Sequence, residues 1–332
     1  MPETTSASTA TRAVAPAPEA VERAALEIRR HLPPTPLQYS RAFTVKAGCP
    51  VYLKVETIQP TRAFKVRGAL NKLTRMPAEE RAAGVITASA GNHGQGVAYA
   101  AQVFRVPATV YVPENANPLK VESIKRLGAR VVLAGRSYHD AALEAMRGQA
   151  ASGATFVHAF DDPDVIAGQG TIGVELLEQL PEFDTLLVPV GGGGLIAGIA
   201  LYVKARRPSV QVVGVEPSGA DAMTRSLAAG RLVTLNRVAT MADGLAASAP
   251  GRLTMEAAHR YVDRMIVVEE AELLRSIRLF FEWEHLLAEP AGAAGLAALL
   301  YHYAPEASER VVVLLSGANV TDEVMVRALK SR

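Results

Sequence analysis

Eight short runs along the chain are apolar almost throughout: VYLKVE (51–56), GVITAS (84–89), ATVYVP (108–113), ARVVLA (129–134), TLLVPV (185–190), VQVVGVE (210–216), RMIVVE (264–269) and RVVVLLS (310–316). Their length and their Val, Ile and Leu content predict strands, and the segments between them are helix-like. Several runs lack the alternation of a half-exposed sheet, which predicts parallel strands covered by helices on both faces. Residues 134–158 change from a helical pattern to a short loop and a strand. The pattern predicts an α/β protein with a mobile tail at 1–18, a large domain from 19–68 and 156–332, and a small domain inserted at 69–155.

Composition narrows the ligand class. With 332 residues, 49% hydrophobic and 20% charged, the chain has material for substantial buried cores. Its 35 basic and 33 acidic residues nearly cancel, so nothing in the net charge points to nucleic acid or an anionic membrane. Cys49 is the single cysteine, which excludes an intramolecular disulfide and a metal site built from several thiolates. No signal peptide or membrane span is expected from the sequence, and a soluble, cytoplasmic protein with a small-molecule ligand fits best.

Ligands of doubly covered parallel sheets gather at the carboxyl ends of the strands. Four such junctions are rich in Gly, Ser, Asn and Glu: TASAGNHGQG (87–96), VPVGGGGLIAG (188–198), GVEPSGADA (214–222) and LLSGANVTDE (314–323). Gly191, Gly192, Gly193 and Gly194 connect an apolar strand to a helix expected near Leu195. Consecutive glycines expose backbone N–H groups without Cβ hindrance, and a helix start adds the positive end of its dipole, so an anion, most naturally a phosphate, is expected there. Gly192, Gly194 and Gly198 also form a variant of the dinucleotide fingerprint, with Glu216 placed for a ribose. This segment alone leaves both ligands open.

In QPTRAFKVRGAL (59–70), Arg62, Lys65 and Arg67 crowd together and Phe64 adjoins Lys65. Val66, Leu70 and Leu73 form one face of a helix starting near Lys65. The positive dipole end and the two arginines would disfavour protonation of Lys65, and a deprotonated lysine is a nucleophile. A solvated surface lysine is the simpler alternative. Asn92 and His93 could cap a helix entered at Gly94, Ser316 could end a strand, and Glu289 could open a helix.

The stretches QPTRAFKVRGA, SAGNHGQGVA, VGGGGLIAG and LLSGAN, in this order, resemble the fold-type II pyridoxal-phosphate enzymes, particularly the serine/threonine dehydratase (ammonia-lyase) and serine racemase branch. The resemblance implies a two-domain, tryptophan synthase β-like fold, a homodimer and an amino-acid substrate. It implies pyridoxal 5'-phosphate held on Lys65 as a Schiff base, with Lys65 later acting as the base at Cα. It places Phe64 beside the ring, Asn92 on the phenolic oxygen, Gly191 to Gly194 around the phosphate and Ser316 at the pyridine nitrogen. Ser89, Asn92 and His93 would face the substrate carboxylate.

The implied reaction is β-elimination of a β-hydroxy amino acid, such as threonine or serine, to an α-keto acid and ammonia. Other hydroxy amino acids (3-hydroxyaspartate, phenylserine, a hydroxyectoine-derived compound), racemisation and phosphate-ligand binding without turnover are the alternatives. Ala90 stands where racemases of the family carry a serine base, which disfavours racemisation. A divalent cation is expected only weakly: Glu216 and the Ala220 carbonyl match family ligands, but Ala222 replaces the second carboxylate. Arg62 and Ala63 stand where many relatives carry Gly-Ser. The chain stops soon after SGAN, so a C-terminal regulatory domain is not expected.

Overall fold

The structure is a computed structural model that describes residues 14–331. Residues 1–13 of the expected tail lie outside the described residues, and Pro18 already opens the helix Pro18–Ile28. Two sheets organise the chain. The larger comprises β1 (Leu37–Tyr39), β2 (Val51–Val55), β7 (Thr185–Pro189), β8 (Gln211–Pro217), β9 (Arg264–Val268) and β10 (Val311–Leu315), in the order β1-β2-β10-β7-β8-β9. Only the β1–β2 pair is antiparallel. The smaller sheet holds β3 (Val85–Ala88), β4 (Ala108–Val112), β5 (Arg130–Leu133) and β6 (Thr155–Phe156), in the order β5-β4-β3-β6, all parallel.

All eight apolar runs are strands, and β6 is the strand expected at the end of 134–158. The short antiparallel β1 was not foreseen, because LQY carries no apolar run and gains its order by pairing with β2. Every residue of β7 and β10 is buried, as parallel strands covered on both faces require.

Helix packing carries this frame to the site. In the helix Val66–Arg75, Val66, Leu70 and Leu73 are fully buried, the face expected from their spacing. The helix Pro163–Gln179 lies between that helix and the helix Gly194–Arg206, meeting each at glycines. A Cβ on Gly168 would come within 2.6 Å of the Gly68 Cα, and one on Gly198 within 2.1 Å of the Ile166 carbonyl oxygen. Glycine is required at both contacts, because no backbone can withdraw from them cheaply.

Beneath the start of the Val66–Arg75 helix four charges are buried together. Arg67, fully buried, holds Glu56 through Nε and Nη2 at 2.8 Å each and Glu175 through Nη1 at 2.6 Å and Nη2 at 2.9 Å. Lys54 Nζ donates to Glu175 at 2.6 Å and to the Thr35 carbonyl at 2.8 Å. Two bidentate contacts on one guanidinium are a geometry that lysine cannot reproduce. The cluster ties β2, the turn after it and two helices into one block.

Candidate active site

Lys65 sits at the N-cap position of its helix and is partly buried, with Nζ donating to the Ala159 carbonyl at 2.9 Å. Burial lowers its pKa to about 8, and the nearby Glu289 charge opposes that shift. The cause differs from the expected repulsion by neighbouring arginines. Arg67 turns away into its carboxylate cluster, and the Arg62 side chain is exposed. Phe64 lies under the lysine, with Nζ 5.3 Å from the ring centroid. The Phe64 N–H donates to the Ser316 carbonyl at 3.1 Å, and Ala63 bridges Gly317, so the end of β10 is stitched to the lysine turn.

Asn92 begins the helix Asn92–Phe104, with Gly91 at the cap and no side-chain cap bond. Its amide is therefore free for the site and does not serve as the cap expected from its type. Gly96, one turn on, lets this helix rest against Lys65: a Cβ there would lie 3.1 Å from the Lys65 carbonyl carbon. Asn92 Nδ2 donates to Glu289 Oε1 at 2.6 Å, and Asn319 Nδ2 donates to Asn92 Oδ1 at 2.7 Å. The Ser89 hydroxyl accepts from the Gly91 N–H at 3.2 Å. His93 is buried, its Nε2 2.9 Å from the Val157 carbonyl, and burial with the Lys65 charge lowers its pKa to about 3. It is a neutral ring, not a cation for a carboxylate.

The glycine loop closes the opposite side. A Cβ on Gly192 would meet the Phe160 ring at 2.3 Å, and Gly193, at φ 92°, lies in the left-handed region. The Gly192 carbonyl is drawn backward by Thr254 Oγ1 at 2.6 Å and the Gly251 N–H at 3.3 Å. Among the described residues, the N–H groups of Gly191, Gly192 and Gly193 donate to no acceptor in the chain. Unpaired donors, glycines whose Cβ atoms would collide with the pocket wall and the start of the helix Gly194–Arg206 together fit a phosphate. Phe160 adjoins Ala159, the acceptor of Lys65, so the loop and the lysine flank one segment.

Two acids have different fates. Glu216, fully buried, accepts the Met223 N–H at 2.9 Å and the Thr224 N–H at 2.8 Å, and so caps the helix Ala222–Ala229. Burial raises its pKa to about 7. The expected ligand pair Glu216 and Ala220 is thus placed at a helix start, where peptide N–H groups take both carboxylate oxygens. Among the described residues, no group of three or more His, Cys, Asp or Glu side chains is placed to hold a metal. Glu289, by contrast, stands at the head of the helix Pro290–Tyr301 without capping it and turns its carboxyl to Asn92. Burial and the Asp243 charge raise its pKa to about 7. The sequence offered Glu289 only as a helix-opening acid; its role in the site, and that of Asn319, depends on contacts far apart in the chain.

The pyridoxal-phosphate dependent enzyme family matches residues 28–317, and the chain belongs to that family. It is 46% identical over 300 residues to the L-threonine ammonia-lyase of Geobacter sulfurreducens, covering 90% of this chain and 75% of that protein. Among solved structures it is similar to maize serine racemase (TM-score 0.90, 35% identity, 95% of this chain and 97% of that one). It is also similar to the processed form of threonine deaminase isoform 2 from Solanum lycopersicum (TM-score 0.88, 34% identity, 93% and 92%). The family is pyridoxal-phosphate dependent, so the cofactor is pyridoxal phosphate.

Proposed function

We propose that this enzyme eliminates water from a β-hydroxy amino acid, threonine first and serine second, to release an α-keto acid and ammonia. The observation that carries the reading is the placement of the Lys65 amine over the Phe64 ring. The amine is held at 2.9 Å from the Ala159 carbonyl with a pKa of about 8. The two nearby imidazoles are engaged: His93 with the Val157 carbonyl, and His158 Nδ1 with the Phe160 and Asp161 N–H groups. Burial lowers the pKa of His158 as well. Ala90 supplies no second base, which favours elimination over racemisation.

Pyridoxal phosphate, when bound, supplies the electron sink that makes the substrate Cα–H acidic. In this reading Lys65 takes that proton from Cα, and the burial that lowers its pKa favours the neutral amine a base requires. Gly191, Gly192 and Gly193 and the start of the following helix would hold the phosphate, Asn92 would hold the phenolic oxygen, and Ser316 would hold the pyridine nitrogen. The loop of Ser89, Asn92 and His93 would receive the substrate carboxylate, with the Ala90 and Asn92 N–H groups as its backbone donors.

We further infer that residues 69–155 form a small domain, supported by a smaller sheet drawn wholly from 85–156. A homodimer is supported by exposed Tyr39, Phe281, Trp283 and Leu287. They lie where β1 meets the helix Glu270–Glu284, joined by the Gln38 bond to Glu284. A cytoplasmic setting is supported by the lone, buried Cys49. The test is an assay of keto acid and ammonia from L-threonine, L-serine and 3-hydroxyaspartate, with Lys65→Ala as the control. Threonine is expected to turn over fastest and Lys65→Ala to lose at least about 10³-fold; undiminished keto-acid release by that variant would refute the role of Lys65.

A further inference from the structure

Asn319, Asn92 and Glu289 form a relay of hydrogen bonds whose direction is fixed from one end. The Thr61 carbonyl can only accept, and Asn319 Nδ2 lies 2.9 Å from it, so the Asn319 amide must turn its NH2 that way. The same NH2 reaches Asn92 at 2.7 Å, which obliges Asn92 to present its oxygen. The Asn92 NH2 is thereby turned toward Glu289 Oε1 at 2.6 Å. One of its two hydrogens meets Glu289, and the other remains for a ligand.

The backbone is shaped to admit Glu289. A Cβ at Gly317 would fall 2.3 Å from Glu289 Oε1, and the Glu289 N–H donates to the Gly317 carbonyl at 3.0 Å. The carboxyl is almost completely buried and spends none of its bonding on its own helix. A buried acid that leaves its own helix uncapped to accept from the Asn92 amide and the Asn319 backbone N–H is costly unless that arrangement matters.

We propose that Glu289 and Asn319 are positioning residues that lock the Asn92 amide as a hydrogen-bond donor toward the phenolic oxygen of pyridoxal phosphate. The proposal rests on the reading of Asn92 given above. A flipped amide would set its oxygen against an oxygen that carries negative charge, replacing an attraction with a repulsion. The lock removes that alternative before the ligand arrives.

The experiment compares the full-length holoenzyme with Glu289→Ala, Glu289→Gln and Asn319→Asp. The readouts are the visible absorption of the bound cofactor, the dissociation constant for pyridoxal phosphate, and kcat and KM for threonine. Alanine leaves the amide without its acceptor. Aspartate, close to isosteric with Asn319, cannot donate to the Thr61 carbonyl and turns the relay around. Both are expected to shift the visible band, weaken cofactor binding about 10-fold and lower kcat more than they raise KM. Glutamine keeps an acceptor oxygen and is expected to restore most of what alanine loses. An unshifted band with unchanged binding and kcat in Glu289→Ala and Asn319→Asp overturns the proposal, as does a Glu289→Gln enzyme as impaired as Glu289→Ala. A wild-type protein with no borohydride-reducible visible band would instead overturn the cofactor reading at Lys65, and this proposal with it.

Discussion

Lys65 and Arg67 are two residues apart, and burial disfavours the charge of both, yet they end in opposite states. Arg67 sits between two carboxylates, and their attraction outweighs burial and raises its pKa. Lys65 has a single carbonyl within hydrogen-bond reach and a weakly opposing Glu289, so burial prevails and its pKa falls to about 8. The difference is one of compensation. Arg67, a guanidinium with two matched carboxylates, is fixed in charge and suits a framework, whereas Lys65, an amine left without a paired carboxylate, is poised to lose its proton and suits chemistry. The framework cluster lies immediately behind the turn that presents the reactive lysine, so the rigid charge anchors the labile one.

The sharpest way to break this comparison is to remove each cation in turn. Arg67→Ala strands Glu56 and Glu175 as buried carboxylates and is expected to destabilise the protein by about 3–5 kcal/mol. Lys65→Met removes an uncompensated charge and is expected to leave stability unchanged or raised while abolishing turnover. Equal losses in urea denaturation would show that the two sites do not differ as described. A smaller effect is expected from Gly198→Ala, whose Cβ would come 2.1 Å from the Ile166 carbonyl oxygen. Overpacking of this kind costs about 1–3 kcal/mol. Because that helix starts at the glycine loop, affinity for pyridoxal phosphate should fall as well, measurable by fluorescence titration; unaltered affinity in a destabilised protein would separate the frame from the proposed site.

A pH dependence separates the two cations further. The unfolded chain holds the Lys65 proton up to about 10.5 and the folded, cofactor-free chain releases it near 8. Between those values the unfolded state binds more protons, so this residue makes stability rise with pH from about 8 to about 10.5. Below pH 8 its contribution is at its minimum. Stability of the cofactor-free wild type and of Lys65→Met, followed across that window, should converge or cross as pH rises; parallel curves would mean that Lys65 is not shifted.

Much of the architecture was legible before any coordinates. All eight apolar runs are strands, and the face of Val66, Leu70 and Leu73 is buried, because β-branched runs and helical spacing are local properties. β1 was missed because it is specified by its partner strand. The lysine turn, the glycine loop and SGAN stand out in the sequence as motifs. Glu289 resembled an ordinary helix-opening acid, since nothing near it in the chain reveals the Asn92 amide that it meets.

The sequence by itself determined the fold class and the family, because these rest on periodicity and on short motifs in a fixed order. Tertiary structure decided the charge states. Whether a carboxylate caps a helix, as Glu216 does, or orients an amide, as Glu289 does, depends on which donors folding brings within about 3 Å. How far and in which direction a cation's pKa shifts depends on the balance of burial against the carboxylates packed around it, a balance that exists only once distant segments have packed.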